Sequence, residues 1–551
     1  MNLGSLRHRL AVLALAMALA GCAETTTVVP SGQASFQPAD SPAASISSPP
    51  APSLASSQPA ASPDPPPSPS AAPSPSPAAP PVALAAVPIV PVTHFRSPVD
   101  RLTRAELSKV VAGSSGRWKR IELVEAEADA ILGALAIDRS ALGGRLVTAP
   151  DSARLAKDLV KHRDRLAFIR ADAVGPSVRA LGWGNRALFG VGRVEDIAEW
   201  PLIASLPAGG EPIDPGGLWT LVAGGDMLLD RGVARTVKIL RRGVNFPFDG
   251  GTAEITSRYC CSSFGWEIPR TRRTGNRGAV RALIKGADLA IANFENPAPD
   301  RFRYHTTGTV FSADPRLIEG ISTAGIDYVS LANNHIRDAG ANGVLQTIEN
   351  LDDHGIAHSG AGRNLRAARR PAMLEANGTT VAILAYDAIA RYYFAGRDRV
   401  GSAGLSAKAV RADVAAARKA GADLVIVFPH WGTEYKARPF AAQQRLARQI
   451  IDAGADMIIG NHAHWAGAME VYKGRPIWYA LGNFVFDQVW SEPTMEGITL
   501  ELTFRGSQML QARIRPHIIL DRAQPNFMDP AGDGRVVMSQ VFGASKGLLP
   551  W

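Results

Sequence analysis

Cysteine is scarce: three residues in 551, at Cys22 and in the adjacent pair Cys260-Cys261. That rules out a small disulfide-stapled scaffold and a four-cysteine structural zinc site. Long apolar runs are missing too. The run from Leu10 to Ala20 is too short to cross a bilayer as a helix, and no later segment reaches about eighteen uninterrupted apolar residues, which excludes a bundle of membrane-spanning helices. Acidic residues fall short of basic ones, 50 against 59, leaving a formal net charge of +9 and a pI near 9.6. This deficit of negative charge points to anionic partners.

What is present begins with an address. A basic start (Arg7, His8, Arg9) leads into the apolar run and then into Leu19-Ala-Gly-Cys22. The pattern is that of an export signal, and its end resembles the lipobox of bacterial lipoproteins. The resemblance implies cleavage before Cys22, a lipid on that cysteine, and a protein exported and anchored to the cell membrane or envelope. Such a chain meets little nucleic acid, so anionic polymers or lipid head groups are the expected partners. Residues 23–93 are rich in Pro, Ala and Ser with almost no charge; they cannot bury a core and read as a disordered, partly polyproline linker. Residues 94–206 carry leucines and alanines at helical spacing and are expected to form a small α/β domain, faintly similar to one lobe of periplasmic phosphate-type binding proteins. Residues 216–515 carry the chemistry, and 516–551 read as a C-terminal extension.

The chemical signal is a phrase repeated four times: Gly-x-Asp, a short apolar run, then a side chain of the kind that binds metal. The copies run from Gly286 to Glu295, Gly325 to Asn334-His335, Gly421 to His430, and Gly454 to His462-Ala-His464. A glycine ending a helix, followed by a Val/Ile/Leu-rich run, predicts a helix-to-buried-strand junction. The polar residue then arrives at the strand's C-terminal end, where open α/β sheets place their chemistry. A fifth strand, Leu218-Trp-Thr-Leu-Val-Ala-Gly-Gly, ends in Asp226. In His462-Ala-His464, alternate strand positions would place both imidazoles on one side. A mixed oxygen and imidazole set of this kind suits Mn, Fe or Zn in a catalytic site better than Mg or Ca alone.

Gly225-Asp226-Met, Asn293-Phe-Glu295, Ala332-Asn-Asn-His335 with Asp338, His430-Trp-Gly-Thr-Glu434-Tyr, Gly460-Asn-His-Ala-His464 and Tyr479-Ala-Leu-Gly-Asn-Phe-Val-Phe-Asp-Gln488 resemble the capsule-synthesis CapA proteins. That family, also called poly-gamma-glutamate capsule biosynthesis proteins, is similar to the calcineurin-like metallophosphoesterases. The resemblance runs from about Leu218 to about Phe504 and implies an α/β/β/α sandwich with two divalent metal ions. On that pattern Glu295 bridges the metals, Asn334, His430 and His462 complete one site, Asp226 and His464 contribute to the other, and His335 faces the leaving group as the acid. One departure is visible: phosphoesterases of this kind begin with Asp-x-His, whereas Leu228 stands two residues after Asp226, so one metal has a ligand fewer.

Two metals roughly 3.5–4 Å apart can clamp the attacking and leaving oxygens of a phosphoester, and a metal lowers the pKa of bound water to about 7. Hydrolysis of a phosphate ester is the natural reaction. His335 is placed to protonate a leaving oxygen, with Asp338 either orienting its ring or serving only as an early-turn helix carboxylate. Glu434 and Gln488 are either supporting partners or surface residues. The basic cluster Arg270, Arg272, Arg273, Arg277 and Arg281 is a candidate for holding anionic substrate, or a solvated loop. Cys260 and Cys261 are expected to be two thiols or an oxidation-sensitive pair, because a bridge between neighbours strains the intervening peptide, although an exported setting leaves that bridge open. The sequence therefore supports two functions: a phosphoesterase-like lipoprotein acting in synthesis, export or anchoring of an anionic surface polymer, alongside possible capsule-synthesis membrane proteins, or a non-catalytic, metal-dependent polyanion-binding assembly factor. Replacing Cys22 with Ser is expected to release the protein from membranes in detergent partitioning; a variant that still enters the detergent phase removes the lipobox reading.

Overall fold

The computed structural model describes residues 83–548, so the signal, Cys22 and the linker as far as residue 82 lie outside the described residues. The linker expected to reach residue 93 stops earlier. Leu84–His94 is a strand that pairs with Arg165–Arg170, Val178–Ala180 and Ile203–Pro207. Its prolines give it the composition of a spacer, yet Ile89, Val90 and Val92 are fully buried. The β-branched residues supply the burial, and Ile89 still donates its N–H to the Leu202 carbonyl although Pro88 and Pro91 have none to give. Arg120–Val124 and Leu146–Ala149 complete this six-stranded N-terminal sheet.

The main body is built from two larger sheets. Leu218–Met227 shows no apolar/polar alternation and is buried along its whole length, as a strand covered on both faces must be. Leu289–Phe294 pairs with it in parallel, followed by Tyr328–Ser330 and Ala357–Ser359; on its other side Glu496–Arg505 and Gln508–Leu520 run antiparallel. Gln524–Phe527, Thr252–Tyr259 and Ile268–Gly275 carry this ten-stranded sheet to its edge. The second sheet has six strands, with Thr379–Asp387, Leu424–His430 and Met457–Ile459 parallel at its centre.

Three buried clusters show how the layers stack. Leu221, Ile291 and Tyr328 of the first sheet share one cluster with Ile383, Ile426 and Ile459 of the second. Val280, Ile321 and Val344, on helices Ala279–Lys285, Ile318–Ala324 and Gly340–Asp353, cover the outer face of the first sheet. Val410, Val414 and Ile450, on helices Ala407–Lys419 and Ala441–Asp452, cover the outer face of the second. The order is α/β/β/α, and it places the C-terminal ends of the parallel strands of both sheets at one rim.

The repeated Gly-x-Asp phrase has a structural cause. Each aspartate accepts a backbone N–H at the start of an adjoining strand: Asp288 from Thr220 at 2.7 Å, Asp327 from Ala290 at 2.7 Å, Asp423 from Thr380 at 2.9 Å and Asp456 from Val425 at 2.6 Å. A charge-assisted bond at each strand entry fixes the neighbour's register. Gly325 ends its helix in the left-handed conformation at φ 86°, whereas Gly286 stays right-handed and is glycine because a side chain there would meet Val191 at 2.6 Å.

The segment expected as a C-terminal extension from residue 516 is continuous with the sandwich. Gln508–Leu520 runs straight through that boundary, and Val537, Met538 and Val541 of helix Arg535–Ala544 pack into the core between the sheets. The N-terminal sheet is tied to the body at Glu501, buried in strand Glu496–Arg505, which accepts the Val191 N–H at 2.7 Å and pairs with Arg515 at 2.6 Å and Arg513 at 3.5 Å. Burial alone would raise this carboxyl, but the two guanidiniums and the amide hold it below the ordinary range. Its folded pKa being depressed, the stability it contributes is present above the unfolded value and is lost as pH falls through the folded one. Glu501→Ala leaves the buried Arg513 and the half-buried Arg515 guanidiniums short of a partner and is expected to cost about 3–5 kcal/mol, read by denaturant unfolding near neutral pH, with a smaller difference between variant and parent in acid.

Candidate metal centre

Five strand ends converge. Asp226 closes Leu218–Met227, Glu295 follows Leu289–Phe294, and Asn334 lies just past Tyr328–Ser330; from the second sheet come His430, which ends Leu424–His430, and His462 and His464, just past Met457–Ile459. Two triads of donor atoms form, Glu295 with His430 and His462, and Asp226 with Glu295 and His464, the atoms of each within 4.8 Å of one another. Glu295 belongs to both. Asn334 Oδ1 lies 2.8 Å from His430 Nε2, on the first triad.

Close approach of backbones makes the convergence possible. The Asp226 N–H donates to the Gly482 carbonyl at 3.0 Å, and a side chain on Gly225 would run into that carbonyl. The two histidines of His462-Ala-His464 are not on alternate positions of a strand. They lie on a turn, both in left-handed backbone at φ 90° and 56°, a costly conformation for a non-glycine residue. The turn sends their rings 6.2 Å apart, one to each triad.

The electrostatics suit divalent cations. Asp226 and Glu295 are both buried, and burial followed by the charge of Asp226 pushes the Glu295 carboxyl well above its usual range. Glu295 Oε1 is buried without a hydrogen-bond partner, 3.6 Å from both His430 Nε2 and His464 Nε2. Burial, then His462 and His464, hold the His430 imidazole far below its normal value; burial, then His464, bring His462 to about 3. Neutral imidazoles have a lone pair to give, and two adjacent carboxylates need positive charge between them. The residues of either triad fit a divalent cation, with mixed oxygen and nitrogen donors.

Sequence reasoning passed over the group that organises the cluster. The Asn293 amide nitrogen lies 2.8 Å from Asp226 Oδ1, 3.4 Å from Glu295 Oε2 and 3.3 Å from His430 Nδ1. The signal was available, since Asn293 stands two residues before Glu295 on the same strand face. Asn483 holds His464 Nδ1 at 2.9 Å and meets Gln488 at 3.1 Å, and Gln488 donates to the Tyr435 hydroxyl at 3.4 Å. Glu434 is exposed and reaches the same hydroxyl. Leu228 is fully buried with Phe311, Phe486 and Ile519, so it offers no donor in the place of the histidine of Asp-x-His.

Beside the triads His335 Nδ1 lies 2.8 Å from Asp338 Oδ2. Asp338 also accepts the Phe311 N–H at 2.8 Å and the Tyr393 hydroxyl at 3.1 Å. The arginines are not gathered here. Arg272 pairs with Glu254, Arg273 with Asp521 at 2.8 Å and Gln524 at 2.9 Å, and Arg281 with Asp249 at 2.8 Å; charges on the edge strand find carboxylates nearby before they can serve the rim. Arg270 instead lies over the Tyr259 ring at 5.1 Å. Cys260 and Cys261, expected as thiols, are joined to each other at the tip of the hairpin formed by Thr252–Tyr259 and Ile268–Gly275.

Two stacked sheets flanked by helices, with carboxylates, imidazoles and an amide gathered at their common rim, define a metallophosphoesterase-like protein. Residues 220–488 match the model of the bacterial capsule synthesis protein PGA_cap, and the chain belongs to that family. Among relatives, the capsule biosynthesis protein CapA of Bacillus anthracis is 35% identical over 49% of this chain and 67% of its own length, the PGA biosynthesis protein CapA of Bacillus subtilis 31% identical over 38% and 57%, and a probable polyglutamine synthesis accessory protein of Mycobacterium tuberculosis 28% identical over 49% and 74%. Among solved structures, the calcineurin-like phosphoesterase YfkN of Bacillus subtilis covers 59% of this chain and 96% of its own at 12% identity and a TM-score of 0.32.

Asn293→Ala removes the amide that orients three donor groups without removing a donor. Losses of this kind typically cost about 10–100-fold in metal affinity. Calorimetric titration with Mn²⁺ is expected to show that weakening; unchanged affinity would make Asn293 a spacer only.

Proposed function

We propose that this chain is an exported, lipid-anchored, metal-dependent phosphoesterase that acts in making, exporting or anchoring an anionic surface polymer. The observation that carries the reading is the shared carboxylate: Glu295 takes part in both donor triads and keeps one oxygen buried and unpartnered. In this reading Asn334, His430 and His462 would hold one ion, Asp226 and His464 would hold the other, and Glu295 would serve both. When bound, such a pair supplies Lewis acidity and positive charge to an ester phosphate. Membership of the capsule synthesis family and the polymer named in its relatives support the substrate class.

The remaining chemistry belongs to the chain. The Asp338 carboxylate accepts a hydrogen bond from His335 Nδ1–H at 2.8 Å and is itself fixed by the Phe311 amide and the Tyr393 hydroxyl, which leaves His335 Nε2 to carry a proton to the departing oxygen. Phe311 packs on the His335 ring, centroids 4.2 Å apart, and limits its rotation. One observation favours a second reading, a metal-dependent polyanion-binding assembly factor without turnover: Leu228 is buried in an apolar cluster, so the Asp226 triad has one donor fewer than the Asp-x-His pattern.

His462→Ala and His335→Ala separate the roles. The first is expected to lower bound metal and abolish phosphodiester hydrolysis; the second is expected to keep the metal while slowing esters with poor leaving groups about 10²–10⁴-fold, and those with good leaving groups far less. Metal analysis and rates on the two ester types are the measurements. Equal metal loss in both variants makes His335 a ligand, and a metal-loaded parent that hydrolyses no phosphoester leaves the assembly factor.

A further inference from the structure

The mouth of the metal centre is lined by aromatic rings that neither the metal triads nor the His335–Asp338 pair uses. Tyr435 stacks on His464, centroids 6.0 Å apart. Trp490 meets Tyr435 at 4.8 Å and Trp465 lies 6.5 Å from it. The hairpin tip comes down on these rings, Phe264 against Trp490 at 5.5 Å and Trp266 against Trp465 at 5.9 Å. Arg258, on the same hairpin, is bound to Glu492 through both nitrogens at 2.5 and 2.6 Å, which pins the tip there. Even so, Phe264 is 69% exposed, Trp266 42% and Tyr259 44%. These are the residues a soluble surface hides unless something is to cover them.

Resting on the phosphoesterase reading of the adjoining centre, we propose that this ring-lined mouth is a subsite for a sugar ring, so that the substrate is a phosphoester with a hexose next to the ester. Three observations select that class. Tyr435 adjoins His464, so a group lying on these rings is within reach of one joined to it at the metal centre. The ring pairs meet at 63°, 80° and 89°, so these pairs offer no parallel slot for a flat aromatic base, but single faces across which the C–H face of a pyranose can lie. A polar group stands among the faces as a sugar requires: Trp465 Nε1 is buried without a hydrogen-bond partner. An unpaired buried N–H is costly, and a ring hydroxyl or ester oxygen would satisfy it.

The test uses the full chain with excess chelator, so that no hydrolysis can occur, and ligand-observed NMR titration with the 1-phosphates of glucose, galactose and N-acetylglucosamine, with glycerol 1-phosphate as the acyclic control. At least one hexose phosphate is expected to bind saturably and more tightly than glycerol phosphate. Phe264→Ala and Trp266→Ala, both at exposed positions, are expected to weaken it about 3–10-fold each, as the loss of one ring contact would, without changing the response to glycerol phosphate. The inference is overturned if every hexose phosphate matches glycerol phosphate, if both variants bind as the parent does, or if the two variants lose capture by anionic lipid vesicles instead, which would make the tip a membrane-contacting face. Because the readout needs neither metal nor turnover, its failure is distinct from failure of the phosphoesterase reading, which the His335 and His462 variants decide.

Discussion

Two carboxylates buried side by side, Asp226 and Glu295, set the terms for the rest of the structure. In a medium of low polarity they cannot both be charged unless positive charge lies between them, and the His430 and His462 imidazoles, depressed by burial, cannot supply it. Nearly everything around them answers that problem. The Asn293 amide touches both carboxylates, the His462 N–H points at Asp226 at 3.2 Å, and Arg231, 2.5 Å from Asp487, adds a distant positive field to Glu295. None of these neutralises the pair, and a cation held by the donor triads would.

Holding such a cluster requires rigid backbone on every side, and the two-sheet sandwich provides it. Three ligand-bearing strands belong to the first sheet and two to the second, so the site exists only where the two rims abut. Four of these strands follow an aspartate that accepts a backbone N–H at the entry of the adjoining strand, far from the chemistry. The repeated Gly-x-Asp phrase thus joins two functions of one strand: its beginning is stapled for register and its end presents a ligand. A slip of one residue would turn every ligand to the other face.

The N-terminal sheet and the long hairpin are additions to that frame, and each is fastened by buried or half-buried charge. Glu501 binds the first through Val191, and Arg258–Glu492 fastens the second. The hairpin brings the Cys260–Cys261 pair and three exposed rings to the mouth of the centre, where the frame alone would leave it open.

Much of the fold and of the ligand set was legible in the chain. Strand ends, the candidate donor residues and the His335–Asp338 spacing are local patterns, because burial on both faces demands an unbroken apolar run and the polar residue must follow it directly. Local order of this kind is what sequence by itself determined here. Which sheet each strand joined, the left-handed turn that splits His462 from His464 between the triads, the Asn293 hub, the carboxylates that claim Arg272 and Arg273, and the strand hidden in the proline-rich stretch at Leu84–His94 were decided only by tertiary structure. Each depends on a partner dozens or hundreds of residues away, and a contact of that range leaves no periodicity in the chain to read.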